Sequence, residues 1–149
     1  MKLSTKGRYG LRALVDLVLY AQGEPMPLAS IAGRQEISVQ YLEHVFSALR
    51  KGGIVKSVKG PRGGYTLAEP PEKMTIGKVL QAVEGTHSIV EDLRKEEAQP
   101  ENTIEQVLRE SLWQPIDEAV ANVLQEITLA DLAAEARRKE THQAPMFYI

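Results

Sequence analysis

The stretch Val55–Leu67, VKSVKGPRGGYTL, decides the fold. "IVKSV" alternates in the β sense and "GYTL" returns, so the two runs predict a short hairpin. The connection Lys59-Gly60-Pro61-Arg62-Gly63-Gly64 supplies glycines for unusual backbone angles and a proline that restrains the tip. Solvated hairpin tips usually carry Asn, Asp or Ser; this one carries two cations, Lys59 and Arg62. A stiff cationic finger loses little entropy on docking and can grip phosphates or enter a minor groove.

The residues just before the hairpin explain why a finger stands there. "EISVQYLEHVFSALRKGG" reads as a helix with Ser38 as N-cap. Tyr41, Leu42, Val45, Phe46 and Leu49 recur at three and four. Gly52 and Gly53 end it, after Arg50 and Lys51 have complemented its negative end. A shorter helix, "LASIAGRQE", precedes it across a tight joint near Glu36 and Ile37, which is helix-turn-helix spacing. A helix-turn-helix followed at once by a hairpin is a winged helix. Further upstream, Leu11, Leu14, Val15 and Val18 mark a first helix from Thr5 to Ala21, stopped by Gly23 and Pro25.

Charge separates this head from the rest of the chain. Residues 1–67 hold ten cations against four anions, a net of +6, while residues 68–149 hold eight against sixteen, a net of −8. A basic module joined to an acidic one suits polyanion binding by the first. At the start of the third helix, Ser38, Gln40, Tyr41, Glu43 and His44 stand where helix-turn-helix proteins meet base edges. Gln pairs with adenine, and Glu accepts from the amino group of cytosine. Tyr41 suits either core packing or a phosphate contact. Lys6, Arg8, Lys56, Lys59 and Arg62 are the candidate phosphate or minor-groove cations.

Beyond the Pro70-Pro71 boundary, "TIGKVLQAVEG" predicts a fourth helix capped by Thr75 and closed by Gly85. Residues 86–102 read as a polar, acidic loop. Then Ile104, Val107, Leu108, Leu112, Ile116, Ala119, Val120, Val123, Leu124 and Ile127 keep helical spacing. As one helix this segment would span about 35 Å, with Pro115 starting a new helix or kinking it. A head of some 70 residues has little use for so long an amphipathic helix unless it meets a partner, so Leu112, Trp113, Ile116, Val120, Val123, Leu124 and Ile127 are candidate dimerisation residues; packing against the first helix is the alternative. "TLADLAAEA" adds a helix with Thr128 and Asp131 in capping-box spacing. The expected organisation is a winged helix-turn-helix domain over 1–70, a connecting helix and loop over 71–102, dimerisation helices over 103–136 and a tail over 137–149. The expected fold class is mainly α with a small β-hairpin wing.

Catalysis finds no footing. His44, His87 and His142 lack metal-ligand spacing, Glu96 and Glu97 belong to a charge-rich loop, and the 149 residues contain no cysteine, which removes thiol nucleophiles, disulfides and cysteine-held metals. No apolar run reaches a membrane span, and "MKLSTKGRYG" lacks a secretory pattern, so a cytoplasmic location is expected. A protein-interaction module built on the same scaffold is the competing class; the +6 head argues against it.

The segments "KLSTKGRYGLRALVDL", "SVQYLEHVFSALRKGGIVKSVKGPRGGYTLA" and "ITLADLA" closely resemble the Rrf-two family of bacterial winged-helix regulators, over roughly the whole chain. The resemblance implies a homodimer joined through the long and first helices. It also implies binding of palindromic operator DNA through Ser38, Gln40, Tyr41, Glu43, His44, Lys59 and Arg62. Many members hold an iron–sulfur cluster through three cysteines between the fourth and long helices; none stands there in this sequence, so no cofactor is expected. "LWQPIDEAVANVLQEITLADLA" and the ending "MFYI" resemble the cysteine-free branch that represses cysteine metabolism and acts with cysteine synthase. Met146, Phe147, Tyr148 and Ile149 form an apolar end after a charged segment. Such an end either tucks onto its own dimer or is presented to a partner, and the resemblance points to the cysteine synthase active site as its acceptor. A repressor of another pathway with a small-molecule effector is the alternative.

Overall fold

In a computed structural model, which describes residues 3–85 and 102–143, α1 (Thr5–Tyr20), α2 (Leu28–Gln35) and α3 (Val39–Lys51) precede a hairpin of β1 (Val55–Val58) and β2 (Gly64–Leu67). A 3-10 turn at Pro71–Lys73 leads to α4 (Ile76–Glu84). After it come α5 (Thr103–Leu108), a π-helical segment (Arg109–Trp113), α6 (Gln114–Glu126) and α7 (Leu129–Gln143). The chain is mainly α with one two-stranded antiparallel sheet, the class expected from the sequence.

The core forms where the apolar faces of α1–α4 and the start of α7 meet. Leu14, Leu17, Ile31, Leu42, Val45, Phe46, Leu49, Val79 and Leu129 are essentially removed from water. Burying each such side chain stabilises by roughly 1.5–3 kcal/mol. Caps fix where these helices begin. The hydroxyls of Ser4, Ser38 and Thr75 each accept from a backbone N–H three residues on, in Gly7, Tyr41 and Lys78. Thr128 and Asp131 close the expected capping box: the Thr128 N–H donates to Asp131 Oδ2 (3.0 Å), and the Asp131 N–H donates to Thr128 Oγ1 (3.2 Å).

As expected, a helix begins at the proline: α6 starts at Gln114 with Pro115 at its second residue, and the backbone stays αR through Leu108, Arg109, Trp113 and Gln114. What the sequence did not show at Pro115 is a π-helical turn before it. Proline has no N–H and its ring crowds the preceding turn, and a π turn accommodates both defects. The C-terminal helix also runs further than "TLADLAAEA" suggests, through residues placed in the tail. Arg138 pairs with Glu135, and the Thr141 hydroxyl donates to the Arg137 carbonyl (2.9 Å), both at helical spacing. Residues 86–101 of the acidic loop expected over 86–102 lie outside the described residues, as does the ending Met146–Ile149; Asn102 caps α5.

Candidate nucleic-acid interface

The joint between α2 and α3 is made by one residue. Glu36 takes the left-handed conformation (φ 54°, ψ 46°), which turns the chain sharply, and the Ile37 N–H returns to the Ala32 carbonyl (3.2 Å). Ile37 is buried and pins the turn to the core. Ser38 then starts α3. Leu42, Val45, Phe46 and Leu49 point inward, leaving Ser38, Gln40, Glu43 and His44 together on the exposed side of its first turns. That is the face from which a helix reads base edges in a major groove.

Tyr41, whose sequence position suited two roles, is half-buried and meets Tyr9 edge to face, with ring centroids 5.8 Å apart. The Arg12 and Arg8 guanidinium carbons lie 5.2 and 5.9 Å from the Tyr9 centroid. This stack brings the exposed cations of α1 beside the first turns of α3. Arg8 is exposed and Lys6 partly so. Arg12 also donates to the Gln35 carbonyl at the end of α2 (2.7 Å). Tyr9 and Arg12 were not among the expected site residues; a Tyr between two Arg at helical spacing was the available signal.

The wing is registered with Val55 opposite Leu67, Lys56 opposite Thr66, Ser57 opposite Tyr65 and Val58 opposite Gly64. Its tip is a β-turn closed by the Gly63 N–H on the Gly60 carbonyl (2.9 Å), with Pro61 at its second position. Lys56, Lys59 and Arg62 are all exposed. The base is docked: Met26 and Tyr65 exchange two backbone hydrogen bonds of 2.9 Å, and the Tyr65 ring packs edge-on against Phe46 at 5.0 Å. Only glycine fits position 64, because a Cβ there would stand 2.3 Å from the Met26 carbonyl carbon and oxygen.

A buried ion pair braces the head. The Asp16 side chain is fully buried and accepts from Arg34 through Nη2 (2.7 Å) and Nε (3.0 and 3.2 Å), and from Gln35 Nε2 (2.9 Å). The hydrogen bond to Asp16 raises the Arg34 pKa above its ordinary value, so the cation is permanent. None of these three residues was expected at the site; the one signal was an acid, Asp16, among the apolar residues of α1.

The candidate dimerisation residues divide. Leu112, Ile116 and Val123 are exposed along the helix, joined by Ile104 and Val107, while Trp113 and Val120 are half-buried. Leu124 and Ile127 instead pack on this chain's own core beside α4, where the Ile76 N–H donates to the Ile127 carbonyl (3.0 Å). It is α7, not the long helix, that lies along α1. Among the described residues no three or more His, Cys, Asp or Glu gather into a metal site, and no helix is long and apolar enough to cross a membrane.

A helix-turn-helix whose second helix exposes its first turns, followed by a docked hairpin with exposed cations, is a winged helix-turn-helix, an architecture that serves DNA-binding transcriptional regulators. A family model described as Rrf2, iron-dependent transcriptional regulator, matches residues 3–135, and the chain belongs to that family. It is 40% identical over 144 residues to an HTH-type transcriptional regulator of Haemophilus influenzae, covering 96% of this chain and 94% of the relative. It is 42% identical over 132 residues to IscR of Yersinia pseudotuberculosis, covering 89% and 79%. Among solved structures it is similar to CymR, the global cysteine regulator of B. subtilis, with TM-score 0.75 and 38% identity over 91% of this chain and 98% of the other. It is also similar to IscR of T. potens, with TM-score 0.75 and 35% identity over 99% and 97%. Regulators of this family bind DNA and act as dimers, and neither the family nor these relatives are enzymes.

Proposed function

We propose that this regulator is a homodimeric repressor of cysteine or sulfur metabolism genes that works without an iron–sulfur cluster. The carrying observation is the donor set. The family model is described as iron-dependent, yet the 149 residues contain no cysteine and so offer a cluster no thiolate. The likeness to CymR, a cysteine regulator, supports this pathway. Ser38, Gln40, Glu43 and His44 read the operator while Lys6, Arg8, Lys56, Lys59 and Arg62 hold its backbone. The exposed face of Leu112, Ile116 and Val123 meets a second copy, flanked by Trp113 and Val120. Two-fold pairing sets the reading helices about 34–36 Å apart and so selects a palindrome.

The experiment is to sequence the genomic fragments that the purified protein retains. Palindromic sites upstream of cysteine and sulfur genes are expected, with retention unchanged by iron chelation. Sites confined to other pathways would refute the assignment. They would favour the alternative, an effector-controlled regulator, for which the structure offers a cleft of about 240 Å³ between the end of α1 and the wing base, lined by Leu17, Val18, Ala21, Glu24 and Leu67. In the leading proposal the signal arrives through the chain's end, Met146 to Ile149, in the active site of cysteine synthase. Deleting these four residues abolishes enzyme binding if so; unchanged affinity removes the idea.

A further inference from the structure

Arg34 sits at a junction of four elements. Its guanidinium grips Asp16 of α1 with two nitrogens and lies 4.6 Å from the ring centroid of Tyr20, one turn further along the same helix. Its Nη2 approaches the Met26 sulfur at 3.3 Å. Met26 is the residue whose backbone bridges Tyr65 of the wing, and Tyr65 rests on Phe46 of the recognition helix. The next residue, Gln35, donates to Asp16 and precedes the left-handed Glu36 that aims α3. On the other side, the Tyr20 hydroxyl donates to Glu140 Oε1 near the end of α7 (3.1 Å).

We propose that Arg34 is a positioning hub that ties α7 to both DNA-reading elements, so that displacing the end of α7 changes how well helix and wing read sequence. Arg34 itself need not touch DNA. One planar fork fixes α2 against α1 through a buried carboxylate, and the same plane stacks on the tyrosine that α7 holds by its hydroxyl. A point-charge cation such as lysine keeps the charge but loses both the two-pronged grip and the stacking. The inference rests on the DNA-binding proposal for the α3–wing face.

The test uses full-length protein, the duplex that wild type selects from a random pool, and a scrambled duplex of equal length, titrated at several salt concentrations. Arg34→Lys is expected to bind the scrambled duplex within about twofold of wild type, with an unchanged salt slope. It is expected to bind the selected duplex at least about tenfold more weakly, as a displaced reading helix would. Tyr20→Phe and Glu140→Ala should each cost about two- to fivefold in selectivity, and the double variant no more than either alone. Wild-type selectivity in Arg34→Lys overturns the hub. So does an equal loss on both duplexes with a shallower slope, which would mark Arg34 as a phosphate contact. Should Arg34→Lys not fold, the exposed pair decides: unchanged or additive selectivities overturn the link to α7. A wild-type protein that selects no duplex overturns the DNA-binding proposal and the hub with it.

Discussion

Replacing Lys59 and Arg62 together by glutamine tests the wing directly. Both side chains are exposed, and neither forms a hydrogen bond or ion pair among the described residues. Their removal should therefore change folding stability by no more than about 0.5 kcal/mol. The consequence for DNA is larger. A dimer presents four such cations on two wing tips, and each phosphate contact contributes about 0.9 to the slope of log affinity against log salt. If all four engage, the slope flattens by about 3.6 units. At 0.1 M salt each contact multiplies affinity about eightfold relative to 1 M, so a variant that loses all four binds about 4 × 10³-fold more weakly. Scrambled duplex should lose as much as the selected one, since phosphate contacts position rather than specify. Anisotropy titrations between 0.05 and 0.3 M salt (roughly the window in which such slopes are measured) give slope and affinity together. A slope changed by less than about one unit, in a variant that melts at the wild-type temperature, would refute the wing as a DNA contact.

Asp16→Ala should destabilise the head by about 2–4 kcal/mol, read as a lower melting temperature. The loss stays below the worst cases for broken buried pairs because the Arg34 side chain is 34% exposed and can recover water once its partner is gone. Leu112→Glu with Ile116→Glu should convert the dimer to monomer in sedimentation velocity while helicity holds, because both side chains already face solvent within one chain; a variant that remains dimeric would move the interface elsewhere.

How much of the structure was legible in the sequence depends on how local each determinant is. The recognition helix and wing rest on signals a few residues apart: the Ser38 cap, the inward Leu42, Val45, Phe46 and Leu49, and the glycines and proline of the tip. Such signals survive without knowledge of the rest of the chain, and both elements stand where the residues put them. Pro115 was legible as a disturbance but not as a π turn, since the choice between break, kink and widened turn depends on whether neighbours hold the helix in line. The Asp16–Arg34–Gln35 brace was illegible for a stronger reason. Arg34 and Gln35 stand 18 and 19 residues from Asp16, and neither helix periodicity nor charge counting distinguishes a cation that pairs with a buried acid from one that faces solvent. The +6 of the first 67 residues therefore overstates the charge offered to DNA: Arg34 is committed to Asp16, and Arg12 is partly committed to the end of α2. The exposed cations of the head with no acidic partner among the described residues include Arg8 on α1 and Lys56, Lys59 and Arg62 on the wing, both elements in ring contact with α3, and also Arg50 and Lys51 at the end of α3. That division gives the head its logic. Paired charges hold the angle between helices, and unpaired ones remain for phosphate, so neutralising a wing cation should weaken binding to every sequence, whereas loosening the brace should blur the distinction between them.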